Sequence, residues 1–368
     1  MLSRRSLLAA PILLPACNNR SRNAFVGYAF VATRDSGDIA IVDLAAFSLL
    51  KKRIKPSGAP GQLIDVPGED FLLTVGINGI VEEVQLSEAA LRRKLATPVF
   101  PYHVWLSHDA KTIWALTPDQ RTLLRIDRAK FEVVQQIPLP QKAAHIAVSP
   151  GSHHVAAAFD KTSEVAILSD PAQPLVISKL DHKPGQLRYL NNGSRLVVAH
   201  ENDRLLTMVD SATGKIIVEL PLPIRPQNLC FNADGGQLFI SGEGLDGVVV
   251  VYPFQSQVAA TLLSGKSPGP MATSSSPQFL FVTSPSTGTV SVLDVRTQKL
   301  AAVVAVGVDP RAVVLTPDNQ MALVLNQRSG DLAIIRLANI VSKRQKTAPL
   351  FTMIPVGSTP VAAIIRSL

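Results

Sequence analysis

The chain has 368 residues, of which 46% are hydrophobic and 17% are charged. This composition excludes an intrinsically disordered chain and predicts a compact body with a large buried core. The formal net charge is +8, but the basic residues are scattered and accompany no nucleic-acid-binding motif. Because aromatic residues make up only 5% of the sequence, a base-stacking surface is not expected, and we predict no nucleic-acid partner.

The first seventeen residues have the pattern of an export signal. Arg4 and Arg5 precede an apolar run over residues 7–16, which is shorter than the roughly 20 residues of a membrane-spanning helix and is typical of a signal peptide. The paired arginines resemble the twin-arginine signal of bacteria. Residues 14–17, Leu-Pro-Ala-Cys, resemble a lipobox, which implies that Cys17 is lipidated; an ordinary signal peptide cut near Ala16 is the alternative.

The predicted export signal also indicates where the protein is located and how its domains are organised. We expect a lipoprotein of the bacterial cell envelope, periplasmic or on the outer surface, attached to the membrane through Cys17. Residues 18–24 are polar and suit a short tether, and residues 25–368 form the folded domain. The second cysteine, Cys230, lies in an apolar strand-like run, where we expect a small buried hydrophobe without a redox role.

A unit of about 42 residues recurs along the folded domain. Strand-like segments of one type end at positions 43, 85, 127, 169, 210, 252, 294 and 336. Each unit holds four short runs rich in Val, Ile, Leu and Phe, separated by Gly, Pro, Asn and Asp, which are strand and turn signals. Four strands in 40–45 residues are typical of one blade of a β-propeller.

The seventh unit carries a resemblance to a known repeat. Its residues 281–284, 288–294 and 303–310 resemble the YVTN-type β-propeller repeat of exported bacterial and archaeal proteins. The resemblance covers residues 25–368 and implies an all-β fold with a single propeller of eight four-stranded blades, with seven blades as the alternative. It specifies architecture and says little about function.

The two ends of the domain predict how the ring closes. Residues 25–57 supply only three strand-like runs, and the missing innermost strand matches residues 360–365. We therefore predict that the C-terminal strand completes the first blade, which hides the edges that an open sheet would expose.

An aspartate follows the third strand in several units, as at Asp127, Asp210 and Asp294. Because an Asp side chain accepts backbone N–H groups two or three residues later, we interpret these positions as turn residues rather than catalytic acids.

One face of a propeller is the default binding site. The loops that lead into the innermost strands share this face with the loops between second and third strands, and together they surround the central channel. The repeat register places a set of polar side chains there: Gln62, Tyr102, His103, His145, Gln186, His200, Gln227, Asn228, Glu243 and Arg311.

Three histidines of this set could bind a metal ion or a haem cofactor. His103 and His145 belong to adjacent units, and His200 lies in a loop on the same side. With an acidic neighbour they would suit a metal ion or an axial bond to haem, but satisfying buried backbone groups or binding channel water is the plainer interpretation. We therefore assign no metal site and leave the cofactor unknown. His153 and His154 fall in a turn that we place on the opposite face.

Catalytic signatures are absent from the sequence. It contains no Gly-x-Ser-x-Gly, His-Glu-x-x-His or Cys-x-x-Cys-His motif. We therefore expect a monomeric binding or scaffold protein that holds a small ligand or a cell-envelope protein at the channel mouth, and we assign no catalytic residue.

Two other functions stay open at this point. The first is a haem- or metal-binding propeller, an oxidoreductase or a cofactor-maturation protein, because some eight-bladed exported propellers resemble the haem-binding domain of periplasmic nitrite reductases; His200 or His145 would then be an axial ligand. The second is a lactonase-like hydrolase, for which Glu243, Arg311 and His145 are the candidate residues.

Overall fold

A computed structural model describes residues 25–95, 103–159, 161–341 and 348–367. Within them, β-strands form eight separate four-stranded antiparallel sheets. Each sheet is one blade of a propeller, so the all-β, eight-bladed prediction is confirmed and the seven-bladed alternative is excluded. The predicted signal peptide, Cys17 and tether lie outside the described residues, as does Tyr102.

Blades 1 to 4 contain the first fifteen strands, with β1–β3 in blade 1, β4–β7 in blade 2, β8–β11 in blade 3 and β12–β15 in blade 4. Their bounds are β1 (Gly27–Thr33), β2 (Asp38–Asp43), β3 (Ser48–Ile54), β4 (Pro60–Asp65), β5 (Phe71–Gly76), β6 (Val81–Gln85), β7 (Ala90–Lys94), β8 (His103–Leu106), β9 (Thr112–Leu116), β10 (Thr122–Asp127), β11 (Glu132–Pro138), β12 (His145–Val148), β13 (Val155–Phe159), β14 (Glu164–Leu168) and β15 (Val176–Lys179).

Blades 5 to 8 continue in the same way, with four strands each, and a final strand returns to blade 1. Their bounds are β16 (Leu187–Tyr189), β17 (Arg195–His200), β18 (Leu205–Asp210), β19 (Ile216–Pro221), β20 (Arg225–Phe231), β21 (Leu238–Glu243), β22 (Gly247–Tyr252), β23 (Gln257–Leu263), β24 (Met271–Thr273), β25 (Phe279–Ser284), β26 (Thr289–Asp294), β27 (Lys299–Ala305), β28 (Pro310–Leu315), β29 (Met321–Asn326), β30 (Asp331–Arg336), β31 (Leu350–Pro355) and β32 (Pro360–Ser367).

The sequence pattern of each strand follows its place in the blade. The two middle strands are covered by neighbouring blades on both faces, so β5, β13 and β29 are buried at every position and read as continuous apolar runs. The outermost strands have one solvent-exposed face, and β11 alternates between exposed and more buried positions.

Apolar clusters between neighbouring blades form the core. Phe239 of blade 6 packs with Leu280 of blade 7, and comparable clusters fill each of the other junctions around the ring. The junction between blades 8 and 1 is as apolar as the rest, with Leu323 and Val31 in one buried cluster. The ring is therefore sealed by the same packing that joins consecutive blades.

The C-terminal strand closes the first blade as predicted. Strand β32 pairs antiparallel with β1, from Gly27 opposite Ser367 to Thr33 opposite Pro360. Arg366 extends the closure into blade 2, because its Nη2 lies 2.6 Å from the carbonyl oxygen of Val66 and 2.6 Å from Asp65 Oδ1.

The aspartates after the third strands shape turns, as the sequence predicts. The backbone N–H groups of Lys130, Thr213 and Thr297 donate to the carboxylates of Asp127, Asp210 and Asp294 at 2.9, 2.8 and 2.7 Å, respectively. These bonds fix the outer hairpins and leave no reason to assign the carboxylates to catalysis.

A short helix, α1 (Leu337–Val341), follows β30 and precedes β31 in the chain. Among the described residues, no helix combines the length and apolar character needed to cross a membrane.

Candidate functional site: the channel mouth

A groove of about 1120 Å³ lies on the predicted face above blades 6, 7 and 8. We call it the mouth groove. Loops between second and third strands and loops leading into innermost strands build it, as the register predicts. Four of the predicted residues line it: Gln227, Asn228, Glu243 and Arg311.

The blade 6 side of the mouth groove is held by polar contacts. Gln227 Nε2 donates to Glu243 Oε1 at 3.1 Å, and Arg225 Nη1 lies 3.8 Å from the other carboxylate oxygen. Asn228 Nδ2 donates to the hydroxyl of Ser241 at 3.1 Å. These side chains therefore support one another as well as facing the groove.

The mouth arginines of blades 8 and 1 differ in whether their charge is paired. Arg311 Nε lies 2.7 Å from Asp309 Oδ1, and Arg34 Nε lies 3.2 Å from Asp35 Oδ1. Arg328 is exposed and, within the described part of the chain, its guanidinium makes neither an ion pair nor a hydrogen bond. It lines both the mouth groove and an adjoining cavity of about 610 Å³, so its donors are available to a ligand on either side.

The central channel has a separate cavity of about 660 Å³ lined by inner strands of blades 3 to 7. His145 and Gln186 of the predicted set line it. His145 is 36% exposed, and its Nε2 lies 3.8 Å from Glu201 Oε1. Cys230 also lines the channel, where burial raises the pKa of its thiol to about 11. At neutral pH this thiol is protonated and a poor nucleophile.

His200 is placed differently from the other mouth residues. Its side chain is fully buried, Nδ1 lies 3.0 Å from the carbonyl oxygen of Lys183, and Nε2 lies 2.8 Å from the hydroxyl of Thr207. Since a carbonyl only accepts, Nδ1 carries the proton, and in the neutral ring Nε2 accepts from the Thr207 hydroxyl, whose oxygen also lies 3.3 Å from Glu219 Oε1. Burial lowers the pKa of His200, so the ring is neutral. Both nitrogens are engaged, which leaves no lone pair for iron or another metal.

Gln62 and His103 occupy the innermost strands of blades 2 and 3. The Gln62 side chain joins the two blades. Its Nε2 donates to the carbonyl oxygen of Val104 at 2.7 Å, and its Oε1 accepts from the backbone N–H of Val104 at 3.4 Å. His103 lies at the start of β8 with its ring centroid 5.7 Å from that of Trp105, and burial lowers its pKa.

The structure does not bring the lactonase-like set into one cavity. Glu243 and Arg311 line the mouth groove, and each has a polar partner there. His145 lines the channel cavity instead.

His182 is absent from the residues that the sequence places at the mouth, whereas the repeat register does place Arg328 in a mouth loop, although outside the set of ten given above. The His182 ring lies 5.7 Å from that of His200, and its Nδ1 is 3.3 Å from Asp203 Oδ2. Arg328 stands in the loop between β29 and β30. Its position relative to the channel was readable from the repeat, but its lack of a partner depends on the conformation of loops in neighbouring blades.

No protein-family model matches the chain, and no curated protein matches it. Solved structures, in contrast, do match the chain. Dihydro-heme d1 dehydrogenase NirN in complex with DHE superposes with a TM-score of 0.75 at 12% identity, over 94% of this chain and 76% of that one. Hydrazine synthase of Kuenenia stuttgartiensis gives a TM-score of 0.56 at 16% identity, over 83% of this chain and 91% of that one. At these identities the similarity shows a shared propeller fold.

Proposed function

We propose that the protein binds a carboxylate-bearing small molecule at the channel mouth. The observation that carries the proposal is the unpaired, exposed guanidinium of Arg328 at the border of a groove of about 1120 Å³. A guanidinium offers a planar pair of N–H donors that matches a carboxylate. The neighbouring arginines Arg311 and Arg34 already have carboxylate partners, which singles out Arg328 as the anchor.

The second candidate is a narrower class of carboxylate-bearing ligand, a tetrapyrrole, which carries carboxylates on a flat ring. The similarity to NirN, a structure in complex with DHE, favours this class. In a ring of eight blades, blade 4 with His145 and blade 8 with Arg328 are opposite one another, and the proposed ligand would lie across the mouth between them.

The residues of the mouth fit a tetrapyrrole in part. The mouth groove has no histidine, cysteine or methionine among its lining residues. His145 is partly exposed in the channel and is the imidazole that would hold an iron atom, whereas both nitrogens of His200 are engaged. A bound haem would supply redox or electron-transfer chemistry, while this chain would bind it, orient it and limit its contact with water.

The test is a titration of the protein with ferric haem and with metal-free protoporphyrin IX, followed by visible absorption. We expect Arg328→Ala to weaken binding of both by about tenfold, the loss of one charge-assisted contact. His145→Ala should change the Soret band of bound haem and leave protoporphyrin binding unaltered. The control Arg296→Ala removes an exposed charge from the turn between β26 and β27, outside the groove.

The outcomes separate the two candidates. If neither porphyrin binds but di- or tricarboxylates raise the melting temperature in an Arg328-dependent way, the tetrapyrrole is excluded and the carboxylate site stands. If Arg328→Ala behaves like Arg296→Ala with every ligand that binds, Arg328 is not the anchor.

We also propose that the chain is an exported lipoprotein with a YVTN-type propeller. The support is the sequence pattern of residues 4–17 and of the seventh unit. Cys17→Ser in the natural host is expected to release the protein from the membrane fraction and to remove the mass of the acyl groups from the mature chain. Unchanged membrane association of this variant would contradict the proposal.

A further inference from the structure

A cluster of potential metal ligands lies on the face opposite the mouth. His108 and Asp109 belong to the turn between β8 and β9 in blade 3, and His153 belongs to the turn between β12 and β13 in blade 4. Inner strands start at the mouth, so the turns that end them are at the far face of an antiparallel blade. The 42-residue stride brings these two turns side by side in adjacent blades.

The ligand atoms of the three side chains are already close. One nitrogen of each imidazole and a carboxylate oxygen of Asp109 all lie within 4.8 Å of one another. The rings of His108 and His153 meet edge to face with centroids 4.6 Å apart. Tetrahedral Zn²⁺ with bonds of about 2.1 Å needs ligand atoms about 3.4 Å apart. Both histidines are exposed, so small side-chain rotations achieve that spacing.

Asp109 is oriented for this role by its own hydrogen bonds. Its Oδ1 accepts from the hydroxyl of Ser107 at 2.6 Å and from the N–H of Lys111 at 3.1 Å, and Oδ2 makes no hydrogen bond within the described residues. A ligand held by a hydrogen bond of this kind is typical of protein metal sites.

In the part of the chain that the structure describes, the imidazoles of His108 and His153 contact one another and make no hydrogen bond. An adjoining cavity of about 310 Å³ is lined by Asp109 and His153 together with Lys111 and Arg125. A metal ion bound by the three side chains would keep an open coordination position, and this cavity can admit water or a small anion to it.

We propose that His108, Asp109 and His153 form a three-ligand binding site for a divalent transition-metal ion. Two imidazoles and one carboxylate favour Zn²⁺ and related ions over Mg²⁺ and Ca²⁺, which prefer all-oxygen sites. The mouth groove contributes no residue to this site, so the proposal is independent of the ligand proposed there.

The experiment is calorimetric titration of the full chain, without a histidine tag, with ZnCl₂. We expect binding of one Zn²⁺ per chain and no binding of Mg²⁺ or Ca²⁺. His108→Ala and His153→Ala should each weaken Zn²⁺ binding by at least about tenfold, because each removes one of three ligands. The control is His182→Ala, which removes the imidazole beside Asp203 on the mouth face and should leave binding unchanged.

A second measurement guards against misfolding of the variants. The d–d absorption of bound Co²⁺ reports the coordination sphere directly, and circular dichroism checks that each variant retains its strands. The proposal is overturned if the wild-type chain does not bind Zn²⁺. It is equally overturned if the double variant of His108 and His153 binds Zn²⁺ as the wild type does. The same holds if Zn²⁺ binding is lost in His182→Ala instead.

Discussion

The carboxylate of Glu83 in β6 is fully buried, and Arg93 of β7 holds its charge. Nε and Nη2 of Arg93 donate to the two carboxylate oxygens at 2.5 and 2.7 Å. The same guanidinium donates to the carbonyl oxygens of Ala129 and Arg128 in blade 3 at 2.9 and 2.8 Å, and it lies 4.6 Å from the centroid of the Phe131 ring. One side chain therefore compensates a buried charge and also connects two blades.

Removing Arg93 is expected to destabilise the protein strongly. Arg93→Ala leaves Glu83 buried without its bidentate partner, which typically costs about 3 kcal/mol or more. Arg92 provides a matched control, because its Nη1 lies 3.5 Å from the same carboxylate and its side chain is 49% exposed. Arg92→Ala should cost less than about 1 kcal/mol. Urea unfolding monitored by circular dichroism measures both, and equal losses would contradict the proposed difference.

The residue scale also shows which parts of the site the sequence could predict. The turn role of Asp210 is local, because its partner Thr213 is three residues away, and it was predicted correctly. The environment of His200 is not local to its loop. Its ring lies beside the carbonyl of Lys183 and the hydroxyl of Thr207, and the alternation pattern alone does not tell a buried, satisfied imidazole from one facing the channel.

At the scale of elements, the third strand of each unit was predicted most closely. The predicted ends at 43, 127 and 294 coincide with the ends of β2, β10 and β26 at Asp43, Asp127 and Asp294, since an apolar strand buried on both faces ends at a polar turn residue. In blade 4 the strand ends at Leu168, one residue before the predicted position. The innermost strands vary more in length, from three residues in β16 and β24 to eight in β32, and their bounds were harder to predict.

Strand β32 is the element on which closure of the ring depends. Deleting residues 361–368 removes the partner of β1 and exposes the apolar surface that Ile364 and Ile365 cover. We expect this deletion to remove most of the roughly 5–15 kcal/mol that stabilises a typical folded domain, seen as loss of a cooperative melting transition by calorimetry.

A single substitution provides the control for this deletion. Arg366→Ala removes the contacts with Asp65 and Val66 but keeps the strand ladder, so it should cost only about 1 kcal/mol. A deleted chain that melts at the wild-type temperature would show that β32 is not needed for closure.

At the scale of the whole molecule, a constant stride in the sequence is enough to predict a ring of similar blades, because each unit can bury its apolar faces only against its neighbours. The stride does not predict which turn residues of adjacent blades meet. His108 and His153 are 45 positions apart, close to one stride, and their rings lie 4.6 Å apart. That contact depends on side-chain rotamers at two turns. The mouth groove, similarly, is shaped by loops from three blades.

The pairing of β32 with β1 has a consequence for biosynthesis. The strand that completes the first blade is the last strand of the ring to leave the ribosome. Until then β1 presents an edge of unsatisfied backbone groups, however many later blades have already formed. A nascent or prematurely terminated chain therefore has an unpaired, aggregation-prone edge at β1, whereas in the finished protein β32 covers this edge. Chaperones and proteases acting at this stage have a physical feature by which to distinguish the incomplete chain from the complete one.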